Sequence, residues 1–311
     1  SGGKQLRIAS RRFVSQANPH LLALELSITA LNFSGEIILH SGLDAAYPGF
    51  YKKDDPRVGE MSIADSLTLL KQQFSDEQSL MLHRAKGAEF IVAAATSHLL
   101  PANATLLAQD DSQSNKLTQQ FALQLTQGET QTLHKLVIYC HSTSVDDNNS
   151  LSQQALQLLH NAKQHGFAAL LGEHQQWWQQ YWQQADVTID GDIALQQAMR
   201  FNLFSLAQSA GRNGHSNIGA KGLTGPGYDG HYFWDTEIYV VPVMSLTQPQ
   251  IARQLLTQRY SQLDAARQRA RQMSHSRGAL YPWRTIGGEE CSAYFPAGTA
   301  QYHINAAIAY A

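Results

Sequence analysis

One short segment, from Gly222 to Val243, gathers side-chain types that bind sugars. It reads GLTGPGYDGHYFWDTEIYVVPV, in which glycines that permit tight turns are followed by aromatic rings, a histidine and carboxylates. Flat aromatic faces cover the apolar C–H surface of a pyranose, while carboxylates and imidazoles bond its hydroxyl groups. The segment therefore predicts a carbohydrate site on a glycine-rich loop.

Two other interpretations of this segment are weaker. Residues 225–230 fit the G-x-G-x-x-G pattern of dinucleotide sites, but that pattern must follow a buried strand and open a helix. A polar loop over residues 212–221 precedes it here, which argues against a nucleotide. The rings of Phe233, Trp234 and Tyr239 could each belong to a core. Neighbouring ionisable side chains favour a ligand instead, since charged groups are rarely buried unpaired: Asp229, His231, Asp235 and Glu237.

A second segment repeats this chemistry. It reads GALYPWRTIGGEECSAY from Gly278 and continues shortly afterwards as AGTAQYHIN. Trp283 stands next to Arg284, and the paired carboxylates Glu289 and Glu290 follow. Because two separate segments carry the same sugar-binding residue types, we expect both to contribute to one carbohydrate site.

Four motifs in these segments resemble glycoside hydrolase family 65: GHYFWDTE, YPWRTI, GEECS and AGTAQYHIN. SRRFVS from Ser10 and LNFSG from Leu31 extend the resemblance over nearly the whole chain. The family contains inverting phosphorylases of the α-glucosides maltose, kojibiose, nigerose and trehalose, and some hydrolases. The form PWRTI is more similar to the kojibiose branch than to the maltose branch, in which a glutamate commonly follows the tryptophan.

The resemblance implies a multidomain chain that is β first and α afterwards. Residues 1–147 would form an antiparallel β super-sandwich that is incomplete at its N-terminus, and residues 148–190 a helical linker. Residues 191–311 would form the truncated first part of an (α/α)6 catalytic barrel. The hydrophobic periods agree with this order. Alternating apolar residues predict β-structure, including a hairpin over Leu22–His40, and after Val145 the period becomes helical.

The same patterns predict the remaining elements. Strands are expected over residues 89–96, 119–126 and 132–140, and a long loop over Ala45–Met61. Helices are expected over residues 151–162, 172–185, 193–210, 234–246 and 249–272.

The resemblance also implies roles for five residues. Trp234 and Asp235 would hold the non-reducing glucose, and Trp283, Arg284 and Thr299 would line the acceptor subsite beyond the scissile bond. An arginine in place of the glutamate exchanges a hydrogen-bond acceptor for a rigid five-donor fork, so acceptor preference should differ from that of the maltose enzymes. Ala307 stands where the family usually has an aspartate, and no role is assigned to it.

Inverting hydrolysis needs one carboxylic acid to protonate the leaving oxygen and a second carboxylate to activate water. Phosphorolysis needs only the acid, because phosphate is itself the nucleophile. The resemblance implies that this acid is a glutamate downstream of Ala311, so no catalytic residue is predicted within the chain, and the chain alone is expected to be an inactive internal portion of the enzyme. Asp235 is better suited to binding sugar hydroxyls, and Glu237, two residues on in a helix, points elsewhere.

The leading hypothesis is an α-glucoside phosphorylase that converts a kojibiose-like disaccharide and inorganic phosphate into β-glucose 1-phosphate and glucose. Two alternatives stay open, namely an inverting α-glucoside hydrolase of the same family and a non-catalytic carbohydrate-binding module. No cofactor or metal ion is expected, and phosphate serves as co-substrate. The resemblance also makes a homodimer possible.

The amino-acid composition excludes several classes of binding partner. The chain has 23 basic and 25 acidic residues without a basic cluster, so no nucleic-acid partner is predicted. It has no apolar run long enough to cross a bilayer and no signal peptide, so a cytoplasmic protein without a membrane partner is predicted. Cys140 and Cys291 lie far apart and outside any Cys-x-x-Cys motif, which indicates neither a disulfide framework nor a zinc site.

Overall fold

The computed structural model describes residues 2–46, 66–75, 78–86, 90–144, 146–225, 227–292 and 295–311. The described residues up to Trp178 cluster into one compact unit, and those from Gln179 to Ala311 into a second. Most of the loop predicted over Ala45–Met61 lies outside the described residues. Within the described part of the chain, no helix has the length and apolar character needed to cross a membrane.

The first unit is an antiparallel β-sandwich, as expected. One sheet has the order β1-β2-β9-β6-β5-β4 and the other the order β3-β8-β7, and the neighbours in each sheet pair antiparallel. The strand bounds are β1 Leu6–Val14, β2 Leu21–Ala30, β3 Gly35–Asp44, β4 Leu67–Ser75, β5 Gln78–Ala85, β6 Ile91–Leu99, β7 Ala104–Asp110, β8 Lys116–Leu125 and β9 Thr130–Ser142. The strands expected over residues 119–126 and 132–140 correspond to β8 and β9, and that expected over residues 89–96 corresponds to β6.

The hairpin expected over Leu22–His40 is wrong. Both strands exist, but β2 pairs with β1 and β9, whereas β3 pairs with β8 in the other sheet. Ile28 of β2 and Ile37 of β3 belong to one apolar cluster, together with Leu123 of β8 and Leu133 of β9. Because both strands must cover the core between the sheets, the turn at residues 31–34 carries the chain from one sheet to the other and does not fold it back within a sheet.

Helix α1, Asn148–Ala185, follows the sandwich and joins the two helices expected over residues 151–162 and 172–185. It is interrupted at Gly166, whose φ of 75° suits a residue without a side chain. Leu151, Ala155 and Leu159 lie on one stripe and are buried against the larger sheet, in a core shared with Leu21. The apolar stripe predicted from the sequence therefore fixes α1 to the sandwich.

The second unit is helical. Its elements are α2 Ile193–Ser209, a 3-10 turn Gly227–Gly230, a π-helical turn Thr236–Val240, α3 Val241–Thr247, α4 Pro249–Ser261, α5 Leu263–Gln272, α6 Pro296–Thr299 and α7 His303–Tyr310. The single helix expected over residues 249–272 is divided at Gln262, whose side-chain amide donates to the Ile286 carbonyl at 3.0 Å. The (α/α)6 barrel stays a prediction, as do the domain boundaries after residues 147 and 190.

Candidate functional site

The helical unit contains a cavity of about 1140 Å³. Trp234 and Asp235 from the first glycine-rich segment and Trp283 and Arg284 from the second line its wall. Part of α2 contributes as well, through Asn202, Ser205, Leu206 and Ser209. Four of the five residues selected from the sequence therefore share one cavity, and their roles in ligand binding stay predictions.

A short backbone bridge holds the two segments together. The Tyr232 N–H donates to the Thr285 carbonyl at 2.7 Å, and the Thr285 N–H donates back to the Tyr232 carbonyl at 3.2 Å. Thr285 is fully buried, so this pair of bonds is shielded from water. Trp234 lies two residues after Tyr232, and Arg284 lies directly before Thr285. The bridge therefore brings both residues to the wall of the same cavity.

Trp234 and Asp235 are positioned by a buried ion pair beneath them. Arg259 donates to Glu237 from Nε at 2.7 Å and from Nη2 at 3.2 Å, and its Nη2 also donates to the Phe233 carbonyl at 2.8 Å. The side chains of Arg259 and Glu237 are 2% and 0% exposed. Both Glu237 oxygens are thus bonded by a guanidinium, so this carboxylate stabilises the turn and is not available to a sugar.

Asp235 differs from Glu237 in its surroundings. It is exposed in the cavity wall, and among the described residues its carboxylate has no hydrogen-bond or ionic partner. The neighbouring Trp234 ring is partly buried against the apolar cluster of Ala266, Tyr281 and Ile304, and it meets the His303 ring edge-on, with centroids 4.9 Å apart. An immobilised ring beside an unpaired carboxylate can bind the apolar face of a sugar and its hydroxyl groups together.

Arg284 is held by the first glycine-rich segment. Its Nη2 lies 3.0 Å from Asp229 Oδ2 and 3.1 Å from His231 Nδ1. His231 Nδ1 is also 2.8 Å from the Tyr228 carbonyl, so one nitrogen cannot both donate to that carbonyl and accept from the arginine. Arg284 Nη2 also donates to the Tyr228 carbonyl, but at 3.4 Å, so the Asp229 carboxylate is its shorter and charged acceptor.

The backbone around Asp229 is strained. Tyr228 and Asp229 have φ values of 63° and 52°, which are left-handed and uncommon for residues with a side chain. Aspartate tolerates this region better than most residues, since its short polar side chain bonds locally. The ion pair with Arg284 gives this strained turn a contact that links it to the second segment.

Thr299 does not lie with the other four residues in the cavity wall. It is fully buried, and its hydroxyl accepts a hydrogen bond of 2.6 Å from Nη2 of Arg269. Arg269 also contacts Glu290, with Nη1 3.0 Å from Oε2, and burial lowers the pKa of its guanidinium while Glu290 opposes that shift. The sequence patterns indicate neither the buried position of Arg269 nor the ion pair of Asp229 with Arg284, although they mark Glu290 as one of the carboxylates of the second segment.

Comparison with known proteins identifies the family of the chain. Residues 1–181 match the N-terminal domain of glycosyl hydrolase family 65, and residues 200–311 match the central catalytic domain of that family. The chain belongs to glycosyl hydrolase family 65. The N-terminal match alone spans more than half of the sequence, in agreement with the β-sandwich and the helices that follow.

Similar proteins include an α,α-trehalose phosphorylase from Thermoanaerobacter brockii, 41% identical over 309 residues, which covers 99% of this chain and 40% of the relative. A kojibiose phosphorylase from Halothermothrix orenii is 30% identical over 334 residues, covering 99% of this chain and 41% of the relative. The chain thus spans about 40% of the length of these curated relatives. A solved putative kojibiose phosphorylase from human microbiome has the same fold, with a TM-score of 0.84 and 22% identity over 100% of this chain and 39% of its own.

Proposed function

We propose that the protein, in its native length, is an inverting α-glucoside phosphorylase. The observation that carries the proposal is the shared cavity, in which Trp234, Asp235, Trp283 and Arg284 surround space for a disaccharide. Membership of family 65 supports this reaction class, because the relatives described above are named as phosphorylases. The substrates are an α-linked glucose disaccharide and inorganic phosphate, and no other cofactor takes part.

The configuration of the product follows from inversion at the anomeric carbon. A phosphate oxygen attacks the anomeric carbon from the face opposite the glycosidic oxygen, the carbon–oxygen bond to the leaving sugar breaks, and a general acid protonates the leaving oxygen. An α-glucoside then gives β-glucose 1-phosphate and a free sugar. Trp234 and Asp235 hold the glucosyl unit, and Trp283 and Arg284 hold the leaving sugar. Glu237 is not this acid, since both of its oxygens are bonded by Arg259.

The preference of the enzyme for one disaccharide depends on how it recognises the leaving sugar. The arginine after Trp283 favours a kojibiose-like substrate, whereas the higher identity to a trehalose phosphorylase, 41% against 30%, favours α,α-trehalose. Both disaccharides present the same terminal α-glucosyl unit and differ in how the second glucose is attached. We therefore place the distinction at Arg284, and trehalose and kojibiose are the first two substrates to test.

The test compares phosphorolysis with hydrolysis. Native-length protein is incubated with trehalose, kojibiose, nigerose or maltose, with and without phosphate, and β-glucose 1-phosphate and glucose are quantified. We expect phosphate-dependent release of β-glucose 1-phosphate from one of these sugars. Glucose release that ignores phosphate would assign a hydrolase instead, and saturable sugar binding without turnover would assign a binding module.

The ion pair between Asp229 and Arg284 gives a first prediction for acceptor recognition. Asp229→Asn keeps the left-handed turn, which asparagine tolerates, but removes the charge that holds Arg284. In the synthetic direction, KM for the acceptor glucose should rise about 3- to 10-fold, equivalent to about 1 kcal/mol for a charged hydrogen bond that is partly exposed. KM for β-glucose 1-phosphate should stay within a factor of two.

Asp264→Asn is the matched control, because Asp264 also pairs with an arginine, Arg267, at 3.0 Å but on the outer face of α5. It should leave both KM values unchanged. Equal increases of the two KM values in Asp229→Asn would mean that the turn supports the whole cavity and does not act on the acceptor.

A further inference from the structure

The hydrogen-bonding capacity of the Glu290 carboxylate is filled by three backbone amides of its own loop and by one arginine. Its Oε2 accepts the Trp283 N–H at 2.7 Å and lies 3.0 Å from Arg269 Nη1. Its Oε1 accepts the N–H groups of Arg284 at 3.1 Å and Ser292 at 3.2 Å. Four donors surround the two oxygens, which occupies the acceptor sites of the carboxylate.

Two of these donors are consecutive backbone amides. Holding the N–H groups of both Trp283 and Arg284 fixes the orientation of the peptide units from which the two side chains leave the backbone. The Arg284 carbonyl accepts the Cys291 N–H at 2.8 Å, which closes the loop on its other side. Trp283 and Arg284 are thus presented to the cavity by a loop that is folded around one carboxylate.

Arg269 ties that carboxylate to a helix. It belongs to α5, is 7% exposed, and donates from Nη1 to the Tyr281 carbonyl at 3.1 Å in addition to its contact with Glu290. Its other terminal nitrogen donates to the Thr299 hydroxyl at 2.6 Å. A buried arginine with these acceptors holds its guanidinium in one place, so Glu290 is fixed relative to α5 and not only to its own loop.

We propose that Glu290 is a positioning residue for the acceptor sugar, which sets Trp283 and Arg284 through their backbone amides and is itself supported by Arg269 and Thr299. The proposal rests on the phosphorylase function proposed above. It also gives Thr299 a different role from direct contact with the acceptor, since its hydroxyl acts through Arg269. Glu290 is not assigned as the proton donor, since both of its oxygens are occupied by these four donors and not by substrate.

Hydrogen exchange of the ligand-free, native-length protein tests the positioning without any turnover. Glu290→Gln keeps the shape but replaces one acceptor oxygen with an amide nitrogen that faces another donor. We expect the amides of Trp283 and Arg284 to exchange at least about ten-fold faster, as a lost charged hydrogen bond of about 1.5 kcal/mol implies. Glu289→Gln is the matched control, because Glu289 is the exposed neighbour, and it should leave this exchange unchanged.

Steady-state kinetics in the synthetic direction tests whether the positioning by Glu290 acts on binding of the acceptor sugar. In Glu290→Gln, KM for the acceptor glucose should rise about ten-fold, while KM for β-glucose 1-phosphate stays within a factor of two. Thr299→Val should shift the same KM in the same direction by a smaller factor, and Thr299→Ser, which restores the hydroxyl, should return it to the wild-type value. A loss of fold alone would not separate the two substrates in this way.

Each part of the proposal is overturned by a different experimental result. Unchanged amide exchange in Glu290→Gln would overturn the positioning itself. Faster exchange with equal changes in both KM values would overturn its assignment to the acceptor. Absence of turnover in the wild type would overturn the proposed function, and the exchange experiment would still decide the role of Glu290. If Glu290→Gln does not fold, Thr299→Val decides by the same two measurements.

Discussion

Replacing Asp235 with asparagine should lower kcat/KM for phosphorolysis about 10- to 150-fold, the range expected when hydrogen bonds to a charged group worth about 1.5–3 kcal/mol are weakened. Asparagine keeps the size of the side chain and one acceptor oxygen but loses the charge that bonds sugar hydroxyls. Because the Asp235 carboxylate has no partner among the described residues, the midpoint of thermal unfolding should not fall. Activity and unfolding are measured on the same preparation.

Asp190→Asn is the control for this experiment. Asp190 is also an exposed carboxylate without a partner among the described residues, but it lies outside the cavity wall. The substitution should change neither kcat/KM nor thermal unfolding. Wild-type activity in Asp235→Asn would show that this carboxylate does not bind substrate, and a loss of activity together with a lower unfolding midpoint would show a structural role.

The sequence is most informative where an element is defined by its own residues. The apolar stripe of Leu151, Ala155 and Leu159 predicts a helix with one buried face, and the structure buries all three. The two sugar-compatible segments were equally visible, because aromatic rings, glycines and carboxylates occur together in each of them. In both cases the signal lies within a few neighbouring residues.

The pairing of strands that lie far apart in the sequence cannot be predicted from a few neighbouring residues. β2 pairs with β9, and Leu22 lies opposite Val137 in that register, more than a hundred positions along the chain. Turn residues at 31–34 show that the chain changes direction but not which sheet receives the next strand. The predicted hairpin failed for that reason, although the positions of both strands were close to those observed.

The same limit applies to the candidate site. Asp229 and Arg284 lie 55 positions apart and form an ion pair, which no local pattern indicates. Arg269 lies in a segment that the sequence predicts to be helical, and only its burial together with contacts to Glu290 and Thr299 connects it to the cavity. The subsite role of Thr299 is implied by the resemblance alone, and its burial depends on how α5 and α6 pack.

Glu237 offers the largest expected effect on stability. Glu237→Gln leaves the guanidinium of Arg259 buried without its counter-charge, and removing one partner of a buried ion pair costs about 3–5 kcal/mol. The free energy of unfolding, measured by urea denaturation and followed by tryptophan fluorescence, should fall by that amount. Since Arg259 also bonds the Phe233 carbonyl, sugar binding at Trp234 and Asp235 should weaken as well.

A second ion pair in the same helical unit isolates burial as the cause. Arg200 donates to Asp186 from Nε at 2.8 Å and from Nη2 at 2.6 Å. This is the same bidentate geometry as that of Arg259 with Glu237, but the Arg200 pair lies on the surface. Asp186→Asn should therefore have a far smaller effect on unfolding, and added salt should reduce that effect further. Equal losses in the two variants would mean that geometry and not desolvation sets the contribution of the buried pair. We expect the free energy of unfolding to fall strongly only in Glu237→Gln, because the unpaired charge of the buried Arg259 has no water to solvate it.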